Sequence, residues 1–215
     1  MRIFVLNLAM LLIVGCSNGS AQNSREEEFW RWFRANETRL FDFESDRERV
    51  FDELQARLQK VNAGLTFEFG PKENGKRDFV ISADGIKDVF PSVISLANAA
   101  PSLPRWKIIK FRPPRDLGSI TLNGLKLSPE QVDFTIEPDG RKIGITLFMD
   151  GYKESEHESY AGVGFLMLDQ ALGEYDVETK VGVIDFKPRT AKSTLTKQPF
   201  SSLVRSFDEF VKPDN

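Results

Sequence analysis

The single histidine and a scatter of carboxylates are the first places to look for chemistry in this chain. His157 lies in KESEHESY, with Glu154, Glu156 and Glu158 close by and Ser155 and Ser159 near. A zinc site needs three or four convergent ligands, and consecutive residues do not all aim at one ion. A Ser-His-acid triad is defined by a geometry that sequence neighbours rarely supply. The segment reads as a solvated acidic loop ahead of a helix. Other acids fall into two groups: Glu68, Asp78 and Asp84 around one hairpin, and Asp150, Glu174 and Asp176 in a later region. Paired carboxylates about 5 to 10 Å apart can hydrolyse glycosidic bonds, so acids facing a shared cleft would make a hydrolase. Acids at strand ends and turns also serve simply as solubilising residues.

Two further features suggest binding. In EFWRWFR, Phe29, Trp32 and Phe33 can face a core, which turns Trp30 towards the other side beside Arg31 and Arg34. An exposed tryptophan next to arginines is a common interaction hot spot; covering the second face of a sheet is the better fit for Trp30. The run FRPPR places Arg112 and Arg115 at a domain edge, where they either hold an anion or, the favoured reading, solvate a rigid loop. There is no Walker loop and no dinucleotide fingerprint, and no cofactor or metal is called for.

The only cysteine is Cys16, placed where a run from Ile3 to Val14, apolar except for Asn7, gives way to small polar residues. That run, preceded by Arg2, is shorter than the roughly 20 apolar residues of a lasting membrane span and fits the hydrophobic region of an export signal. Its end, Ile13-Val14-Gly15-Cys16, resembles the lipobox of bacterial lipoproteins. The resemblance implies cleavage before Cys16, a diacylglycerol on its thiol, and often a third acyl chain such as palmitate on its amine. Two chains suffice for stable anchoring, at about 0.8 kcal/mol per buried methylene. Ser17, where an aspartate would signal inner-membrane retention, favours the outer membrane facing the periplasm. The expected organisation is a signal peptide at 1–15, a flexible tether at 16–24 reaching roughly 15 Å, and one domain at 25–215.

Composition narrows the partners. Losing the leader removes Arg2 and no acid, which moves the formal net charge from −3 to −4. That balance argues against a nucleic-acid binder, which carries a basic field. With 18 Phe against three Trp and three Tyr, the core should be rich in phenylalanine. No thiol remains for a disulfide, so stability must come from packing.

The elements that would position these residues repeat. A helix is expected from about 26 to 43, then a second, opened by a Ser45–Glu48 capping box, with Val50, Phe51, Leu54, Leu58 and Val61 at helical spacing. Strand alternation at Leu65, Phe67 and Phe69, the turn-rich GPKENGK, the strand RDFVIS, a helix over 86–100 and the strand WKIIKF follow. After a short hairpin at 119–127 the order returns: QVDFTIE, PDG, RKIGITLFM, a helix over 160–172 and a closing strand VETKVGVIDF. Gly75-Lys76-Arg77 matches Gly140-Arg141-Lys142, Asp84-Gly85 matches Asp150-Gly151, and Phe111-Arg112-Pro113 matches Phe186-Lys187-Pro188. The pattern predicts an α+β fold: a mixed sheet from tandem ββαβ units at 65–113 and 131–188, with N-terminal helices and a C-terminal helix over 201–212. The function expected is a lipid-anchored envelope protein that binds a partner protein or small molecule, with Glu68, Asp84, Arg112, Arg115, Asp150 and Trp30 as candidate contacts. The alternative is a carboxylate-dependent hydrolase acting on an envelope component.

Overall fold

The computed structural model describes residues 24–211; Cys16 and the leader lie outside the described residues. The chain is α+β. Helix α1 (Arg25–Ala35) starts at a true capping box, in which Ser24 accepts from the Glu27 N–H and the Glu27 side chain accepts from the Ser24 N–H. Asn36 breaks the expected single helix, leaving α2 (Glu37–Phe41) as a separate turn. Helix α3 (Arg47–Val61) buries Val50, Leu54, Leu58 and Val61 as its spacing predicts. Its N-cap is Asp46, and Ser45 bonds the Asp42 carbonyl instead of capping. The local 3-10 turn over Phe43–Ser45 has consumed the serine that the capping box required.

The first unit pairs β1 (Thr66–Glu73) antiparallel with β2 (Lys76–Ser82), crosses over through α4 (Phe90–Asn98), and returns as β3 (Trp106–Lys110) parallel to β2. Pro91 falls in the first turn of α4, where no intrahelical donor is missing. A hairpin of β4 (Ile120–Leu122) and β5 (Leu125–Leu127) intervenes. The second unit runs β6 (Val132–Asp139), β7 (Lys142–Met149), α5 (His157–Leu172), α6 (Glu174–Lys180) and β8 (Val181–Pro188), again antiparallel then parallel. Two residues of β9 (Gln198–Pro199) add to β6, and α7 (Leu203–Val211) closes the described chain.

The strands do not join in one sheet. They form a three-stranded sheet in the order β1-β2-β3, a separate four-stranded sheet in the order β8-β7-β6-β9, and the small hairpin. Each of the two larger sheets has its own core. The first gathers α1, α2, α3 and α4 around Phe79 and Ile81; the second gathers α5, α6 and α7 around Phe134, Leu147 and Phe186. Phenylalanine dominates as its abundance implies: Phe33, Phe69 and Phe79 pack on Trp106, Phe33 also on Phe79, and Phe67 on Phe69 and Phe79, with ring centroids 4.9–6.4 Å apart. Arg77 is also drawn in, with its guanidinium 4.5 Å over the Phe43 ring and bonded to the Gly70 carbonyl and to Glu44.

The two units share their order of strands, with two of the three sequence matches displaced by one residue. Lys76 and Lys142 each follow a two-residue hairpin turn, and each Asp-Gly bend lies eight residues further on, with Gly85 and Gly151 both at φ +74°. On this alignment the turn match shifts by one residue, so that Asn74-Gly75 corresponds to Gly140-Arg141. Ile81 and Leu147 then correspond, and they pair with Lys110 and Phe186. Phe186 is therefore the counterpart of Lys110 and not of Phe111, because β8 carries an irregularity between its pairings with Ile143 and Ile145. The VETK segment, expected as strand, is the last part of α6.

Candidate functional site

The two units meet where the chain leaves β3. Phe111 takes φ +64° there, a left-handed conformation that is strained for a bulky side chain. Its N–H bonds the Ile81 carbonyl at 2.8 Å, and its ring is held by Phe90 and Tyr175 with centroids 4.4 and 5.1 Å away. The connection that follows is strapped along the C-terminal end of α5. Arg112 O accepts from the Glu174 N–H at 3.0 Å, Arg115 N–H donates to Gln170 O at 2.8 Å, and Gly118 N–H donates to the Gln170 side chain at 3.1 Å.

Glu174 is the joint. It lies at the start of α6 and is fully buried, with a relative exposure of 0%. Its carboxylate accepts from the Ser82 hydroxyl at 2.8 Å and from the N–H groups of Ala83, Gly85 and Arg112 at 2.9, 3.1 and 3.0 Å. Unit two thereby inserts one side chain into the bend of unit one. Ser82 in turn accepts from the Asp84 N–H, which supports that residue at φ +53°.

Beside this joint lies a cleft of about 360 Å³, walled by Glu68 from β1, Asp84 from the bend, Arg112 and Arg115 from the strap, Leu166 and Asp169 from α5, and Ile120 from the small hairpin. This is within the size range of small-molecule sites. Sequence reasoning named Glu68, Asp84, Arg112 and Arg115, and the fold brings these four together. They are ion-paired with one another, which corrects the expectation of a solvated FRPPR loop. Arg112 donates to Glu68 at 2.8 Å and to Asp84 at 2.6 Å, while Arg115 donates to the second Glu68 oxygen.

Asp150 is not among them. It lies in the second unit, where Arg189 donates to it at 3.0 Å and to Asp133 at 2.8 and 3.1 Å. The equivalent acids therefore do not share a cleft. Nor does either aspartate hold its turn through backbone N–H groups, since each side chain accepts from an arginine instead. Trp30 is no exposed hot spot: at 3% exposure it packs edge-on against Phe79, and its indole N–H donates to the Leu96 carbonyl at 2.7 Å. His157 opens α5 with its Nδ1 2.7 Å from the Tyr152 hydroxyl, away from the cleft.

The residue that sequence reasoning missed is Asp169. Among the described residues no donor reaches its carboxylate, whose pKa is pushed up to about 6 by burial first and then by the negative charges of Glu174, Glu178 and Asp84, with Arg112 opposing. A signal was present: FLMLDQAL sets one acid inside an apolar helical run, and a carboxylate there is either paired or poised. Its raised pKa has a consequence for stability. A carboxyl whose folded pKa exceeds its unfolded 3.8 favours folding while protonated, and that contribution is lost as pH rises through about 6. Asp169→Asn should therefore be more stable than the parent at pH 8 by about 1–2 kcal/mol, the shift being discounted for partial solvent screening. The advantage should vanish near pH 4. Thermal melts at the two pH values measure it, and a pH-independent difference would contradict it.

Compared with family models, with curated proteins and with solved structures, the chain finds no match in any of the three.

Proposed function

We propose that this is a lipid-anchored protein of the bacterial envelope, tethered through Cys16 to the outer membrane and facing the periplasm, whose two-unit domain binds a small polar ligand at the junction of the units. The observation that carries the binding part is the convergence at that junction: an open cleft, two ion-paired arginines, an acid that no described residue serves, and positive φ at Asp84 on its wall and at Phe111, the residue before Arg112. Backbone strain concentrates where a fold over-determines a site. The anchoring part rests on the leader and its Ile13-Val14-Gly15-Cys16 ending. No helix among the described residues is long and apolar enough to cross a membrane, so the tether is the route to the membrane that this reading uses.

The hydrolase alternative has one observation in its favour, the raised pKa of Asp169 in a cleft. Its natural second carboxylate, Glu68, has both oxygens held by guanidinium groups. That arrangement neutralises a base or nucleophile, which is why the binding reading is the stronger. Turnover of envelope glycan oligomers that Asp169→Asn abolishes would reverse this preference. The anchor is tested by mass spectrometry of the mature protein made in a bacterial host. The expected N-terminus is Cys16 bearing a diacylglycerol, and its loss in Cys16→Ser; an unmodified chain beginning after Ala21 would overturn the reading.

A further inference from the structure

The charge accounting of the cleft points to the kind of molecule it takes. Both guanidinium groups are already engaged: Arg112 with Glu68 and Asp84, Arg115 with Glu68. Against these two cations stand Glu68, Asp84 and Asp169, with the Glu174 carboxylate immediately behind the Arg112 N–H. An anionic ligand would enter a site with an excess of negative charge and would have to compete with carboxylates for the arginines. A cation breaks no ion pair. It meets the one carboxylate that no described residue serves, and it relieves the repulsion that Glu174, Glu178 and Asp84 exert on Asp169. Pro113, Ile120 and Leu166 line the same space, and Leu166 stands three residues before Asp169 on α5, adjacent on the helix surface. The wall next to the acid is thus apolar, and it suits a hydrocarbon stem.

We propose that the inter-unit cleft binds a small organic cation, with an ammonium group on Asp169 and an apolar stem along Leu166, Ile120 and Pro113. This rests on the reading of the cleft as a binding site and names its ligand class. Exchange of one carboxylate partner from water to a ligand ammonium gives a charge-assisted hydrogen bond, stronger than a neutral one. The aliphatic stem adds burial that a metal ion could not.

The test is NMR titration of the full chain in detergent micelles, following the backbone amides of Arg115, Asp169 and Gln170. The probes are n-pentylamine, pentanoate and inorganic phosphate, which separate charge sign from hydrocarbon. Saturable shifts at these amides are expected with n-pentylamine alone, weakened at least tenfold in Asp169→Asn and unchanged in Asp208→Asn on the exposed face of α7. Because Asp169→Asn should gain stability, loss of binding in it would not reflect unfolding. Saturation by pentanoate or phosphate with no response to the amine would overturn the cation assignment and leave the cleft reading standing. Amine binding that Asp169→Asn does not weaken would also overturn it. No response to any probe would count against both.

Discussion

Glu174→Ala is expected to cost about 3–5 kcal/mol of stability, by breaking a buried hydrogen-bond network through loss of its shared acceptor. The substitution leaves the N–H groups of Ala83, Gly85 and Arg112 and the Ser82 hydroxyl without their acceptor. Each orphaned buried group costs about 1–3 kcal/mol, and water entering the space left by the side chain recovers part of the sum. Glu174→Gln should fall between the parent and alanine. It keeps one acceptor oxygen but turns an NH₂ towards groups that are themselves donors. The damage should also be localised. Each unit has its own core, so weakening the joint should reduce the cooperativity with which the two unfold. Urea melts read both effects, as a lower midpoint and as a shallower or divided transition. A single transition within 1 kcal/mol of the parent would mean that the four bonds to Glu174 contribute little.

The same residue marks the boundary of what the sequence disclosed. Strand alternation, turn chemistry and helical spacing are local, and they were enough to place both ββαβ units, the crossover helices and the buried stripe of α3. The division into two sheets was not local: it depends on which edges meet after the chain has folded, and β3 and β8 carry similar alternation whichever neighbour they take. Glu174 bonds residues about ninety positions earlier, and Trp30 donates to Leu96, 66 positions later. Neither partner leaves a trace in the spacing around it. The helical state of VETK follows from this, because α6 is positioned by Gly173 and by the Glu174 bonds while its own sequence buries only Glu174 and Val177. Of the candidate site, Glu68, Asp84, Arg112 and Arg115 were legible as acids and bases in and just after the first unit. That they pair with one another, and that Asp169 arrives from the second unit to leave the set one cation short, required the tertiary fold.

Gly173→Ala should cost about 2–4 kcal/mol and should disable the cleft while sparing both cores. Gly173 joins α5 to α6 at φ +82° and ψ +148°, a region that only glycine occupies freely, at a penalty of about 1–3 kcal/mol for other residues. A Cβ there would also stand 2.8 Å from Pro114 Cδ, 3.1 Å from Pro114 N and 3.2 Å from Arg112 O. Overpacking of this kind adds about 1–3 kcal/mol, and two of the three atoms are backbone that cannot swing aside. Arg112 is fixed from both ends, its carbonyl accepting from the Glu174 N–H and its own N–H donating to the Glu174 carboxylate. The strain therefore has one outlet, displacement of the strap from α5, and the strap carries both Arg112 and Arg115. Gly140→Ala supplies the comparison: it also has positive φ, at +62°, but nothing lies within 4 Å of its Cβ position. It should cost only the conformational part, roughly 1–2 kcal/mol, and leave the Arg115 and Asp169 amide signals where they were. If Gly173→Ala costs no more than Gly140→Ala and its cleft signals do not move, contact between the strap and the α5–α6 joint does not set the geometry of the cleft. A larger loss accompanied by shifts confined to the strap and the C-terminal end of α5 would show that the joint and the cleft are one mechanical unit.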